Sequence, residues 1–565
     1  IIWRLKSSKQ VFFKTKITIL YYFGSIISAV LAMKTKEIAF TLPVVVFLYE
    51  LMFFEEKLQK RLLNVVPIFL TMFIIPVSIL YSDKLTGDFI GNFGEATRVD
   101  TNIPRWDYFL TQFSVITTYI GLIFFPINQN LDYDFPIFNT LLTPDVFLPF
   151  LLLIFISGLG IYMFSISRTH DKAYRIIAFG IFWFFITLSV ESSFIPIIDV
   201  IFEHRIYLPS IGLFLSLTAG VYLMFNKFRE RKLYTIGVSI FVVVILFFSI
   251  LTYLRNNVWS SDLSLWQDTV EKSPEKERPH INLGFVLNNH GRRDDAKKHY
   301  LLALKINPDS DKAHNNLGNI FNDLGQTDEA IKHYLRAISI KSDFVEAYSN
   351  LGNVLLVQGR TEEAIEHYLK ALGINPDSED THNNLGNVLL DQGHTDKAIE
   401  HFLFALKINP HFEEAHNNLG NALNKNGSTE EAIEHYLKAL KIRPDFEDAH
   451  VNLGLAFRKL GRTDRAIEHF LKALRINPDS DKAHYNLGLA YNNQGIINKA
   501  IEHYLKALRI KPDYEEAHNN LGISLYLKGK TEKALVHFRK ALSINPDYVP
   551  AKNNLKKALM QQEKL

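Results

Sequence analysis

The sequence predicts an all-α protein in two parts, a polytopic membrane domain followed by an α-solenoid. Two observations carry this: seven apolar runs in the first 254 residues, and a unit of 34 residues that recurs without slippage to Tyr548. The register is marked by the dipeptide Leu-Gly, which falls at Leu283/Gly284, Leu317/Gly318 and so on at one fixed spacing to Leu521/Gly522.

Each of the eight units carries a second Gly before a polar turn (Gly291 to Gly529), then Ala (Ala296 to Ala534), an aromatic four residues on (Tyr300 to Phe538) and Ala again (Ala303 to Ala541). A Pro closes seven units, and Ser342 takes its place in the second. Small residues where two helices touch, an aromatic knob, and Pro where a helix stops make a pattern that resembles the tetratricopeptide repeat, an antiparallel helix pair. One pair cannot bury its apolar face, so units stack and the ends need caps. Residues 255–276 form a junction whose Asp262 to Lys276 reads as a half-unit, with Trp266 in the aromatic place and Pro274 in the terminal place; 277–548 are the eight units. Val549 to Leu565 reads as a capping helix, with Lys556 where Gly would stand.

The chain has 565 residues, no Cys and a formal charge of +3. Residues 1–276 hold 24 Lys+Arg and 21 Asp+Glu, and the rest holds 38 of each. No basic stripe or arm appears, so nucleic acid is not expected as a partner. Zero Cys removes disulfides, thiolate zinc sites and Cys nucleophiles.

Runs long enough to cross a bilayer fall at Ile17 to Met33, Ile38 to Phe54, Leu63 to Tyr81, Val146 to Ile166, Tyr174 to Val190, Ile206 to Phe225 and Tyr234 to Leu254. An eighth, Phe109 to Phe125, is read as re-entrant or interfacial, because the loops then sort by charge: fifteen Lys/Arg on one side and six on the other. The positive-inside rule puts the first side in the cytoplasm and the repeats outside it.

Three polar clusters stand on the outer face. Lys34, Lys36 and Glu37 form a hinge between two spans, on the side where Lys is disfavoured; held there, they suit the phosphate of a lipid carrier, or else snorkel to headgroups. Glu203, His204, Arg205 and Tyr207 stand at the mouth of a span, where Arg suits bidentate phosphate contact and Glu could orient it or accept a hydroxyl proton. The bland reading is a helix-entry cap with an internal Glu/Arg pair. Asp132, Tyr133 and Asp134 make the third cluster, which alone would be only a loop.

The segments AMKTKEIAFTLPVVVFLYEL, TNIPRWDYFLTQFSVITTYIGLIFFPINQNLDYDFP and FEHRIYLPSIG, followed by a span and repeats, look like the transmembrane-and-TPR protein O-mannosyltransferases and their bacterial relatives. The resemblance implies a GT-C type fold in a bacterial inner membrane, and transfer of a sugar from a polyprenyl-phosphate carrier to Ser or Thr outside the cytoplasm. By it, Lys36 and Glu37 match the hinge motif, and Glu203, Arg205 and Tyr207 the mouth motif. Such enzymes keep a catalytic acid in their first extracytoplasmic loop, which here is the lysine hinge, so the expectation is a chain lacking that loop and inactive by itself. A divalent metal held by a carboxylate and the donor phosphate is compatible with the chemistry. The alternatives are a non-catalytic membrane-anchored scaffold for envelope assembly and a ligase moving an oligosaccharide from lipid to protein.

Asn occupies the sixth place of all eight units: Asn282, Asn316, Asn350, Asn384, Asn418, Asn452, Asn486 and Asn520. An amide offers donor and acceptor together and so matches a peptide backbone; the array resembles the asparagine ladder of the protein O-GlcNAc transferases. Copying by duplication explains it equally. Eighteen of the 20 His lie in the repeats, mostly at places four and 23. A metal ladder is disfavoured against copied helix positions. Protonation near the ordinary pKa of ~6.5 would make the neutral array cationic and strengthen binding of acidic partners below about pH 6.

Overall fold

The computed structural model describes residues 23, 26–31, 40–55, 57–74, 103–189, 192, 200–201, 203–227 and 231–562. Among them, the secondary structure is helical throughout. It divides into two compact units, Ile1–Asn307 and Pro308–Leu565.

The first unit holds α1 (Leu42–Phe53), α2 (Leu58–Leu70), α3 (Arg105–Phe124), α4 (Pro144–Ile166), α5 (Ala173–Leu188), α6 (Tyr207–Lys227) and α7 (Arg231–Val258), then α8 (Asp262–Lys272) and the first repeat pair, α9 (Glu277–Asn289) and α10 (Arg293–Ile306). Among the described residues three helices are long and apolar enough to cross a membrane: Pro144–Ile166, Tyr207–Asn226 and Thr235–Val258. The last has none of its apolar window buried by protein, as expected of a span wrapped in lipid. Leu42–Phe53 and Ala173–Leu188 are shorter apolar helices. The run expected to be re-entrant or interfacial is the 20-residue α3, which is not among the three candidates. Of the span expected at Ile17 to Met33 only residues 23 and 26–31 are described, and they are helical; the end of that at Leu63 to Tyr81 lies outside the described residues.

Helices α5 and α6 pack closest. A Cβ on Gly180 would overlap the Gly212 carbonyl oxygen, and one on Gly212 would overlap that of Gly180. Small residues at a crossing let two backbones approach. The contact is stitched by Ser216 Oγ donating to the Ile177 carbonyl at 2.8 Å and Trp183 Nε1 donating to the Leu208 carbonyl at 2.9 Å.

The second unit comprises repeats two to eight, α11 (Asp311–Asp323) through α24 (Thr531–Ile544), and the capping helix α25 (Val549–Gln562). Each first helix stops at a glycine with φ between +71° and +95°, the left-handed region that L side chains resist. Inside each pair, the aromatic of the second helix lies on the glycine of Leu-Gly. A Cβ on Gly318 or Gly454 would stand 2.6 or 2.5 Å from the Tyr334 or Phe470 ring. The rings Tyr334, Tyr368, Phe402, Tyr436, Phe470, Tyr504 and Phe538 are 0–1% exposed, as are the flanking alanines, and they belong to one core running from Ala330 to Ala558.

The two glycines of a unit therefore fail for different reasons when substituted. Gly454→Ala meets a buried ring: overpacking costs about 1–3 kcal/mol, of which the better helix propensity of Ala offsets about 1 kcal/mol. Gly461→Ala has open space but a φ of +72°, costing about 1–2 kcal/mol. Both should lower the urea midpoint of the array, and Asn at 461, which tolerates the left-handed region, should restore most of that loss while Asn at 454 should not.

Candidate functional site

Two surfaces hold the polar groups singled out by the sequence, one in each compact unit. In the first unit, Lys34, Lys36 and Glu37 lie outside the described residues. Glu203, His204 and Arg205 stand on a 3-10 turn, Glu203–Ile206, that leads into α6. Arg205 is 7% exposed and Tyr207, two residues further, is 74% exposed. The turn touches α3.

Asp132 does something else. Its carboxylate is 3% exposed and is held by Lys276 Nζ at 2.9 Å and by the Arg278 guanidinium. Around it, Ser273 Oγ donates to the Asp132 carbonyl at 2.7 Å and accepts from Asn130 Nδ2 at 2.8 Å and from the Asp134 backbone N–H at 3.2 Å. Lys272 Nζ donates to the Gln129 carbonyl at 2.8 Å. Burial pushes the Asp132 carboxyl up, and its bonds to Arg278 and Lys276 more than offset this and hold it below the ordinary carboxylate range. Asp132 thus clamps the loop after α3 to the start of the first repeat, and its oxygens are engaged there; Asp134 is exposed. A second ion pair, Arg255 with Asp268 at 2.8 Å, links the end of α7 to α8. Among the described residues no group of three His, Asp or Glu could hold a metal ion.

The residue that sequence reasoning missed is Gln112, a carboxamide in the middle of apolar α3. It is 2% exposed, and neither amide atom has a hydrogen-bond partner among the described residues. Its signal was a single strongly polar side chain within the run Phe109 to Phe125.

In the second unit, the place-six asparagines are half-buried apart from the buried Asn486, and their amides work between units. Asn350 Nδ2 donates to Asn315 Oδ1 and Asn319 Oδ1, both at 3.1 Å. Asn384 reaches Asn353 at 3.2 Å, Asn418 reaches Asn383 and Asn452 reaches Asn417 at 3.0 Å. The series then changes for a chemical reason: place five of the sixth unit is Val451, which offers no acceptor, and Asn486 turns to its own helix, donating to the Lys482 carbonyl at 2.9 Å. Asn520 finds the Tyr485 hydroxyl at 2.9 Å, and Asn554 of the cap finds Asn519 at 2.9 Å. The ladder expected to suit a peptide backbone is therefore also a seam between repeats. An amide that gives one N–H to the seam keeps a second donor and spare acceptor capacity for a chain laid against it. Asn282 and Asn316 stand at the same place of the first and second units, and Asn316 Oδ1 accepts from Asn315 at 3.5 Å.

The histidines are paired. Nδ1 faces Nδ1 at 2.9–3.0 Å in His280/His299, His314/His333, His382/His401, His416/His435, His450/His469, His484/His503 and His518/His537. In every pair Nε2 of the first ring lies 3.0–3.3 Å from a Pro carbonyl six residues back. A carbonyl only accepts, so that Nε2 carries the proton, its Nδ1 accepts, and the partner's Nδ1 donates. This arrangement satisfies both rings of a pair without a charge on either. In the third unit Tyr348 replaces the first His and leaves His367 Nδ1 without a hydrogen-bond partner.

Burial lowers His435, His469, His503 and His537 to about 4. For His469 the further causes are Lys472 and His450, with Glu468 opposing and Arg465 adding slightly. This corrects the expectation of a cationic array near pH 6, because desolvation and the neighbouring ring both disfavour charge there.

Depressed histidines contribute stability that is complete above ~6.5 and is lost as pH falls through their folded pKa. The urea midpoint should be flat from pH 8 to 7 and drop steeply between pH 6 and 4. His469→Gln should shallow that slope by about one proton; an unchanged slope in a titration monitored by circular dichroism would mean that the pair does not set it.

With this geometry in hand, comparison places the repeats. Residues 299–332, overlapping segments between 318 and 529, and 515–548 match models described as tetratricopeptide repeats. The chain is similar to curated protein O-mannosyl-transferases. It is 32% identical over 122 residues to F38B6.6 of Caenorhabditis elegans, covering 20% of this chain and 17% of that one. It is 29% identical over 126 residues to human TMTC1, covering 22% and 14%. Against human TMTC3 it is 25% identical over 171 residues, covering 30% and 18%. The matches thus span less than a fifth of each of these relatives. Among solved structures, YrrB, a TPR protein with an unusual peptide-binding site, aligns at 24% identity and TM-score 0.29, covering 34% of this chain and 99% of that one. A chain of the APC/C hetero-tetramer Cut9-Hcn1 aligns at 17% identity and TM-score 0.43, covering 53% and 61%.

Proposed function

We propose that this helical membrane protein with tetratricopeptide repeats works as a glycosyltransferase of the protein O-mannosyltransferase kind, taking a sugar from a polyprenyl-phosphate carrier and passing it to Ser or Thr of polypeptides outside the cytoplasm. The observation that carries the reading is the buried Arg205 at the entry of α6, in a chain similar to named protein O-mannosyl-transferases. In this reading the bond from the anomeric carbon to phosphate breaks, the acceptor hydroxyl forms the new bond, and its proton goes to a carboxylate. The leaving phosphate needs a fixed cation in a dry site, where charge–charge attraction is strongest. Arg205 suits that task, with Lys34 and Lys36 as second cations at the hinge. A divalent ion held by a carboxylate and the donor phosphate is compatible with this chemistry, and no step here runs through one.

The repeats lie on the extracytoplasmic side of a bacterial inner membrane in this reading, and their amides hold an extended acceptor with little regard to sequence. The clamp at Asp132 ties the first repeat to the membrane domain, which suits delivery of an acceptor held there. The same clamp favours a second reading. A loop whose one buried acid is a fastener, and not a base, equally suits a non-catalytic scaffold that presents partners at the membrane.

Mass spectrometry of envelope proteins from the native host separates the two. Deletion of the gene, and Arg205→Ala together with Glu37→Ala, should remove hexose-sized additions from Ser/Thr peptides; Asn418→Ala with Asn452→Ala should reduce them several-fold for long acceptors only. Unchanged glycosylation with loss of partners from pull-downs of the repeats would establish the scaffold instead.

A further inference from the structure

Among the polar side chains of α3, Thr111, Thr117 and Thr118 are satisfied by backbone groups. Thr111 Oγ1 donates to the Asp107 carbonyl at 2.7 Å and accepts from the Phe138 N–H at 2.9 Å. Thr117 and Thr118 donate to the Ser114 carbonyl at 2.8 and 3.0 Å. Gln112 differs: both amide atoms are buried and neither has a hydrogen-bond partner among the described residues. An amide removed from water without partners is costly, and inside a membrane domain such a group marks a site of function more often than a structural accident.

Its position says where it acts. Tyr108, Gln112, Val115 and Tyr119 follow one another at helical spacing along one stripe of α3, and all four are 0–2% exposed. The apolar members of that stripe pack with Phe184 and Leu188 of α5 and with Val200, Ile201 and Ile206. Ile206 ends the 3-10 turn that carries Arg205, itself 7% exposed. The apolar members of the stripe and Ile206 thus share one core, with Gln112 on that stripe and Arg205 next to Ile206 in the chain. A guanidinium recognises phosphate. A carboxamide, donor and acceptor side by side, recognises neighbouring hydroxyls of a sugar ring.

We propose that Gln112 is a substrate-binding residue that takes the sugar hydroxyls of a lipid-linked donor whose phosphate lies toward Arg205. This rests on the transferase reading above and deepens it by giving the sugar a specific contact in α3. It also ties stability to binding in a way a structural glutamine would not: an apolar replacement removes an unsatisfied group from the empty protein and a contact from the loaded one.

The test uses the full chain in detergent micelles, with farnesyl-phosphate mannose as probe and farnesyl phosphate as the sugar-free control. Gln112→Leu should raise the thermal midpoint without probe, weaken the mannose probe at least tenfold, and leave the control within twofold. Gln112→Met, closer in shape, should do the same if the Leu variant folds poorly. A lowered midpoint in the Met variant would show that the amide is satisfied in the folded protein and overturn the proposal. Undiminished binding of the mannose probe, or a wild type that binds probe and control alike, overturns it while leaving the phosphate reading standing. A wild type that binds neither overturns the transferase reading as well.

Discussion

The contact on which the solenoid depends is an aromatic ring laid on a glycine. In every repeat the second helix presents Tyr or Phe where the first helix has no side chain, and the approach this allows is what brings the flanking alanines to zero exposure. Remove the glycine and the ring must move; move the ring and the alanines lose contact. Because each ring also borders the next pair, the error passes along the stack. The membrane domain uses the same device without the ring, where Gly180 and Gly212 bring the α5 and α6 backbones together.

Around that apolar spine the buried polar groups are arranged to satisfy one another. Seven imidazole pairs close each other's bonds and hand the last proton to a proline carbonyl. The amide seam does the equivalent between units, and where Val451 removes its acceptor the amide turns to its own helix and does not stay open. A row of amides partly committed to its own scaffold is a stiff row. Stiffness is useful to a surface that binds extended chains, since the side chains are ordered before the ligand arrives.

The repeats could be read from the sequence almost residue by residue because identity at period 34 is a local signal: Leu-Gly, the aromatic and the alanines each mark one place of the helix pair. The cap expected from Val549 is a helix to Gln562, and the half-unit expected from Asp262 is one to Lys272. What the sequence could not show was partnership across units. Nothing in a copied His reveals that its ring faces another ring 19 residues on, and so the titration expected near pH 6 was placed at the pKa of a free imidazole. The membrane half is the reverse case. Apolar runs locate helices but not their neighbours; Asp132, in a cluster that by itself reads only as a loop, is held by Lys276 and Arg278, some 140 positions away in the chain.

Asp132 and Gln112 together show why burial alone does not identify a site. Both are polar, both are 2–3% exposed, and both belong to the same stretch of chain. Asp132 has a lysine, an arginine and a bonded serine around it, and its charge is fully answered by the protein. Gln112 has no hydrogen bond among the described residues. Folding accounts for the first, since an ion pair between a loop and the first repeat resists their separation. For the second, folding gives a cost and no gain, and this is the ground on which a substrate contact is proposed for it.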